Sequence, residues 1–109
     1  MSGISTHVLD TSKGQPARGV QVLLERQSGA AAWETVGQGV TDEHGRISRL
    51  LPAPEAAAYR LTFRTADYFA SQESFYPEVT VHFTVHDPSA HYHIPLLLSP
   101  YGYTTYRGS

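Results

Sequence analysis

Hydrophobic and polar residues alternate along most of this chain with a period of two, the spacing that sends successive side chains to opposite faces of a β-strand. The most regular stretch sets Val79, Val81, Phe83 and Val85 against Thr80, His82, Thr84 and His86. Tyr59, Leu61 and Phe63 alternate in the same way with Arg60, Thr62 and Arg64, and Val20, Val22 and Leu24 make one apolar face of another strand. Ile4 to Leu9 places Ile4, Thr6 and Val8 on one side and Ser5, His7 and Leu9 on the other. Trp33 to Val40 reads as a strand weakened by Gly37 and Gly39, and Arg46 to Leu51 as a strand leaving a tight turn. The apolar run Ile94 to Leu98 reads as a buried strand, interrupted by Pro95, which has no amide proton and suits an edge or a bulge.

Turn chemistry separates these stretches. Asp10 to Gly19, Gln27 to Ala32, Pro52 to Glu55 and Asp87 to Ala90 are rich in Gly, Pro, Asp, Ser and other small residues. Ser99-Pro100-Tyr101-Gly102 can reverse the chain and return Tyr103 to Arg107 as a last strand. Ala66 to Ser74 is the one predicted helix, with Thr65 or Asp67 as its cap and Pro77 as a stop beyond its end. Seven or eight short strands at intervals of about ten residues, with one short helix, predict an all-β sandwich built as a single domain over residues 1–109.

Composition narrows the classes of function. The 109 residues, 40% hydrophobic and 17% charged, suit one globular domain. A chain of this length buries about two-thirds of its unfolded surface, enough for a core without staples. The absence of cysteine excludes disulfides, thiolate zinc sites and a cysteine nucleophile. A net charge of -2 offers no basic footprint, so neither nucleic acid nor an anionic membrane is an expected partner. There is no signal peptide in Met1-Ser2-Gly3-Ile4 and no apolar run of about 18 residues to span a membrane, which leaves the cytoplasm as the expected location.

Histidine is the candidate chemistry. Four of the six histidines, His82, His86, His91 and His93, fall close together in the sequence, and His91 and His93, two apart on a strand, share a face. A His-x-His pair can chelate zinc. No carboxylate or third ligand is fixed by spacing, however, and the expectation is no metal and no cofactor. His7 is either a catalytic imidazole or a half-exposed strand histidine; a lone histidine does not decide. Arg46, leaving the turn Thr41-Asp42-Glu43-His44-Gly45, is either a solvated strand end or a planar, permanently charged donor for an oxyanion.

Four blocks, in order, carry a resemblance. They are Ile4-Ser5-Thr6-His7-Val8-Leu9-Asp10 with Gly14 and Pro16-Ala17; Thr41-Asp42-Glu43-His44-Gly45-Arg46-Ile47; Asp67-Tyr68-Phe69 with Ser74-Phe75-Tyr76-Pro77-Glu78; and His91-x-His93-x-Pro95-Leu96-Leu97-Leu98-Ser99 ending in Tyr106-Arg107-Gly108-Ser109. Together they resemble the transthyretin-related proteins, the 5-hydroxyisourate hydrolases of purine catabolism. The resemblance implies a transthyretin-like sandwich and a homotetramer made from two dimers, in which paired strand edges would be covered. It implies hydrolysis of 5-hydroxyisourate, with His7, Arg46 and His93 catalytic and Ser109, Tyr106, Arg107 and Gly108 at the substrate, and it leaves His91 structural. A carrier of the same fold, binding a small ligand in a channel without chemistry, is the alternative.

Overall fold

The alternating stretches pair into two sheets. The structure is a computed structural model and describes residues 3–109. In chain order its elements are β1 (Gly3–Asp10), β2 (Gln15–Pro16), β3 (Gln21–Gln27), β4 (Trp33–Val40), β5 (Arg46–Leu51), β6 (Ala57–Phe63), α1 (Thr65–Phe69), β7 (Val79–Val85), β8 (His91–Ser99) and β9 (Gly102–Thr105). The first sheet runs β2-β1-β8-β9, with β5 also paired to β1; the second runs β4-β3-β6-β7. Eight of these strands are those the alternation predicts, and the two-residue β2 is an addition. Among the described residues no helix is long and apolar enough to cross a membrane.

The core lies between the sheets. From the first come Ile4, Val8, Tyr92, Ile94, Leu96 and Leu98, and from the second Val22, Leu24, Tyr59, Leu61, Phe63, Val79 and Val85, all buried. Each such aliphatic or phenyl side chain contributes about 1.5–3 kcal/mol by leaving water. The two buried tyrosines also satisfy their hydroxyls. Tyr59 donates to the Glu55 carbonyl and accepts from its amide, while Tyr92 accepts from the amides of His86 and Asp87. The carboxylate of Asp10, fully buried, closes the far end of β1. Burial acts to raise its pKa, but the hydroxyls of Ser12 and Tyr68 and the amides of Lys13 and Ser12 outweigh it and hold the pKa below 3.8.

Three expectations change. The helix is only Thr65–Phe69, not Ala66 to Ser74, because Ala70 turns to φ 54° and leaves helical geometry. Ser71 to Ser74 supply no apolar spacing that would bury a second turn. Neither Thr65 nor Asp67 caps it: the Thr65 hydroxyl donates to the Tyr76 carbonyl, and Asp67 lies 3.6 Å from the Arg64 guanidinium. The last strand stops at Thr105 instead of Arg107.

Pro95 explains that last difference. It sits within β8, an interior strand, rather than on an edge. The Gly108 amide donates to the His93 carbonyl at 2.8 Å, so His93, and by alternation Pro95, turn their backbone polar groups toward the β9 side. Proline has no proton to give there. The β8–β9 ladder therefore ends at the pair Leu96 and Thr105 and resumes only as the single bridge of His93 with Gly108. The Thr105 hydroxyl donates to the Pro95 carbonyl instead.

The turn before β5 also depends on one residue type. Gly45 has φ +76°, and a Cβ there would lie 2.3 Å from the Val8 carbonyl oxygen. That carbonyl belongs to β1, and the Gly45 carbonyl in turn accepts from the Val8 amide at 2.7 Å. Gly45→Ala should lower the unfolding free energy by about 2–4 kcal/mol in urea titrations, because both strain and a backbone clash arise. Gly14→Ala, also at positive φ but with open space around it, should cost about 1 kcal/mol. Equal losses would refute the contact as the cause.

Candidate active site

The apolar inner face of the first sheet decides what its outer face displays. β1 and β8 run parallel, with Ser5 opposite His93 and Gly3 opposite His91. On the other edge of β1, antiparallel β5 brings Arg46 opposite His7. Because Ile4, Thr6 and Val8 point inward, Ser5 and His7 point outward, and their partners do the same. Three segments remote in sequence thus bring imidazole, hydroxyl and guanidinium groups to one surface.

A cleft of about 320 Å³ opens there, lined by Ser5, Arg46, Ser48, His91, His93 and Ser109. His7 is not one of its lining residues; its ring centroid lies 6.4 Å from that of His93, with the planes tilted by 35°. No hydrogen bond joins the two rings among the described residues. The Ser5 hydroxyl lies 2.8 Å from His93 Nδ1 and 2.9 Å from His91 Nε2.

Arg46 owes its place to Asp42. One Asp42 carboxylate oxygen accepts from the amides of Arg46 and His44, both at 2.9 Å, and the backbones of Asp42 and Arg46 are further tied by a bond at 3.0 Å. The Arg46 amide is the largest cause holding the Asp42 pKa below 3.8; burial, next in size, acts the other way, and the His44 amide adds a smaller lowering. This contribution to stability is present above the unfolded pKa and is lost as pH falls through the folded one. The guanidinium itself makes no ion pair among the described residues, so its charge is open to a ligand.

The surroundings of His93 disfavour its charged form. Burial pushes its pKa down first, and the neighbouring charges of His7, His91 and Arg46 push it further the same way. Its ring lies against Gly108: a Cβ at that position would come within 2.6 Å of His93 Cδ2. Only glycine lets the chain end pass so close, and this passage carries Ser109 to the cleft.

Residues 4–108 match the model of the HIUase/Transthyretin family. The chain belongs to the HIUase/Transthyretin family. The 5-hydroxyisourate hydrolase of Salmonella dublin is 46% identical over 97% of this chain and 80% of its own length. Among solved structures, Klebsiella pneumoniae 5-hydroxyisourate hydrolase superposes with a TM-score of 0.86 at 40% identity, covering 99% of this chain and 100% of that one. Transthyretin from Sparus aurata superposes at 0.93 with 31% identity, over 99% and 97%. The sandwich expected from the alternation is the fold of the family, and both a hydrolase and a transthyretin share it. The backbone therefore does not decide between chemistry and carriage; the side chains must.

Of the residues singled out in the sequence, His7, Arg46, His93, Gly108 and Ser109 come together. Tyr106 and Arg107 do not join them in the chain by itself. They line a second cleft of about 260 Å³ with Phe83 and Ile94, where the Arg107 guanidinium stacks 4.4 Å from the centre of the Tyr92 ring. The neighbouring histidines do not form one cluster: His82 lies on the second sheet, edge-on to Trp33, and with His86 lines the second cleft, while His91 and His93 line the first. Among the described residues no group of three or more His, Cys, Asp or Glu is placed to hold a metal. Ser5 escaped the sequence reading. Its signal was its place two residues before His7 on the same face, a polar residue that ends up 6% exposed.

The His93 imidazole should titrate below 6.5 in two-dimensional NMR, and Arg46→Ala should move that midpoint upward by removing a repelling charge. Between the folded and unfolded values only the unfolded chain binds this proton, so stability should rise with pH across that window. A midpoint at or above 6.5 would contradict the neighbour effects.

Proposed function

We propose that this chain, acting as one domain, hydrolyses 5-hydroxyisourate to 2-oxo-4-hydroxy-4-carboxy-5-ureidoimidazoline in the catabolism of urate. The observation that carries the reading is a cleft lined by Arg46, His93 and Ser109, with the His7 ring centroid 6.4 Å from that of His93. The relatives that bear the hydrolase name support it. Opening a cyclic amide needs a water made nucleophilic and a developing oxyanion stabilised. Imidazole suits the first task because its pKa lies near working pH, and the unpaired guanidinium suits the second.

In this reading a water held between the rings of His7 and His93 gives up one proton and its oxygen adds to the amide carbon. Arg46 takes the charge that gathers on the carbonyl oxygen, and Ser109 holds the ring. The carbon–nitrogen bond then breaks and the nitrogen leaves with a proton. The assembly would be a homotetramer of two dimers in the cytoplasm, with the outer sheet faces of two copies enclosing the cleft.

Decay of freshly generated 5-hydroxyisourate, followed by absorbance, should be accelerated well above the spontaneous rate. His7→Ala, Arg46→Ala and His93→Ala should each lower turnover by about 100-fold or more while circular dichroism shows an intact sandwich. A folded His93→Ala variant with wild-type turnover would refute the site. No acceleration by the folded wild-type protein would leave a transthyretin-like small-ligand carrier as the better reading.

A further inference from the structure

The Ser5 hydroxyl stands between two imidazoles and has one proton to give. It lies 2.8 Å from His93 Nδ1 and 2.9 Å from His91 Nε2, so it can donate to one ring and must accept from the other. The protonation of the two rings is coupled through it. What breaks the tie is the far side of His91: its Nδ1 is buried and has no hydrogen-bond partner among the described residues.

If Ser5 donated to His91, neutral His91 would carry its proton on Nδ1, a buried donor aimed at nothing. Folded proteins rarely leave such an N–H unpaired, and a bare ring nitrogen is the more tolerable orphan in that place. A His91 protonated on both nitrogens would have the same orphan donor. With the proton on Nε2 instead, His91 donates to Ser5, and Ser5 donates to His93 Nδ1. His93, neutral in its half-buried place, is then left with its own proton on Nε2. That nitrogen adjoins Cδ2, the atom packed against Gly108, so the N–H is at the edge of the ring nearest the chain end.

We propose that Ser5 and His91 are positioning residues that lock His93 in the Nε2–H tautomer, so that His93 meets the substrate as a hydrogen-bond donor and His7 is the base. The inference rests on the hydrolase reading above for its last clause only. A neutral ring already protonated on Nε2 cannot accept a proton there. The water proton therefore goes to His7, the water oxygen adds to the amide carbon, and the imidazolium of His7 returns the proton to the leaving nitrogen. Oxygen or nitrogen of the ring substrate accepts the hydrogen bond of His93 throughout. No co-reactant is needed.

The test is long-range 1H–15N NMR of the uniformly labelled protein, above the His93 titration. The expected result is a bare Nδ1 and a protonated Nε2 on both His91 and His93. In Ser5→Ala the two His93 nitrogen shifts should move toward the average of mixed tautomers, and kcat should fall by roughly tenfold or more with KM little changed. His91→Gln keeps an N–H donor toward Ser5 and should retain more activity than His91→Leu. A His93 proton on Nδ1 in the wild-type protein, or His93 shifts unmoved by Ser5→Ala, would overturn the inference. These shifts do not depend on turnover. A protein that leaves 5-hydroxyisourate untouched yet shows the expected tautomers would refute the hydrolase reading alone, whereas an active enzyme with His93 protonated on Nδ1 would refute only the part given to Ser5.

Discussion

The parallel pairing of β1 with β8 is the constraint on which the rest of the structure depends. Eight residues of each strand match in register, from Gly3 with His91 to Asp10 with Leu98. The pairing closes a loop of most of the chain, yet closure entropy grows only with the logarithm of loop length. Burial of Ile4, Val8, Ile94, Leu96 and Leu98 on the shared inner face offsets it. A slip of one residue by β1 would put Ile4 and Val8 in water and drive Ser5 and His7 into the core, and a slip by β8 would do the same with its aliphatics and His93. The cost of that exchange fixes the register. Through the register, it fixes which polar groups meet on the outer face.

Two positions of restricted chemistry then shape the cleft. Pro95 withholds one amide proton from an interior strand and so ends the β8–β9 ladder, and the chain is free to leave the sheet at Tyr106. Gly108 brings it back against His93, where any side chain would collide with the ring. An interrupted ladder usually weakens a sheet. Here it lets four consecutive residues serve two surfaces, Tyr106 and Arg107 facing one cleft and Gly108 and Ser109 the other. On the opposite side, Asp42 and Gly45 do the equivalent for Arg46, the one by gathering amides and the other by admitting a close approach to β1.

The residue types around the cleft set its electrostatic character. No Asp or Glu side chain lines it among the described residues, so Arg46 keeps an unneutralised charge and His93 feels that charge as a reason to stay neutral. A scaffold shared with transthyretin thus presents one arginine and two imidazoles in a cleft on its outer face.

Much of this was legible in the chain. The strands came from local signals, period-two alternation for β1, β3, β6 and β7 and apolar, Tyr- and Thr-rich or turn-bounded runs for the others, and Asp42 and Gly45 marked their turn by residue type. The four blocks of family resemblance named His7, Arg46 and His93, and the structure sets these on one face. The length of α1 was not legible, because nothing in the residue type of Ala70 announces the positive φ at which the helix ends. Nor was the part of Pro95, whose meaning depends on which neighbour its nitrogen faces. Ser5 stayed hidden for the same reason: a serine two residues before a histidine is unremarkable until a strand from the far end of the chain lies beside it. The separation of Tyr106 and Arg107 from Gly108 and Ser109 likewise came only with the fold. Sequence by itself determined the faces of the strands, since period and polarity are local properties. Which faces look at each other, and so which groups share a proton or a cleft, only the tertiary structure decided, because pairing between distant strands is settled by the core they close together.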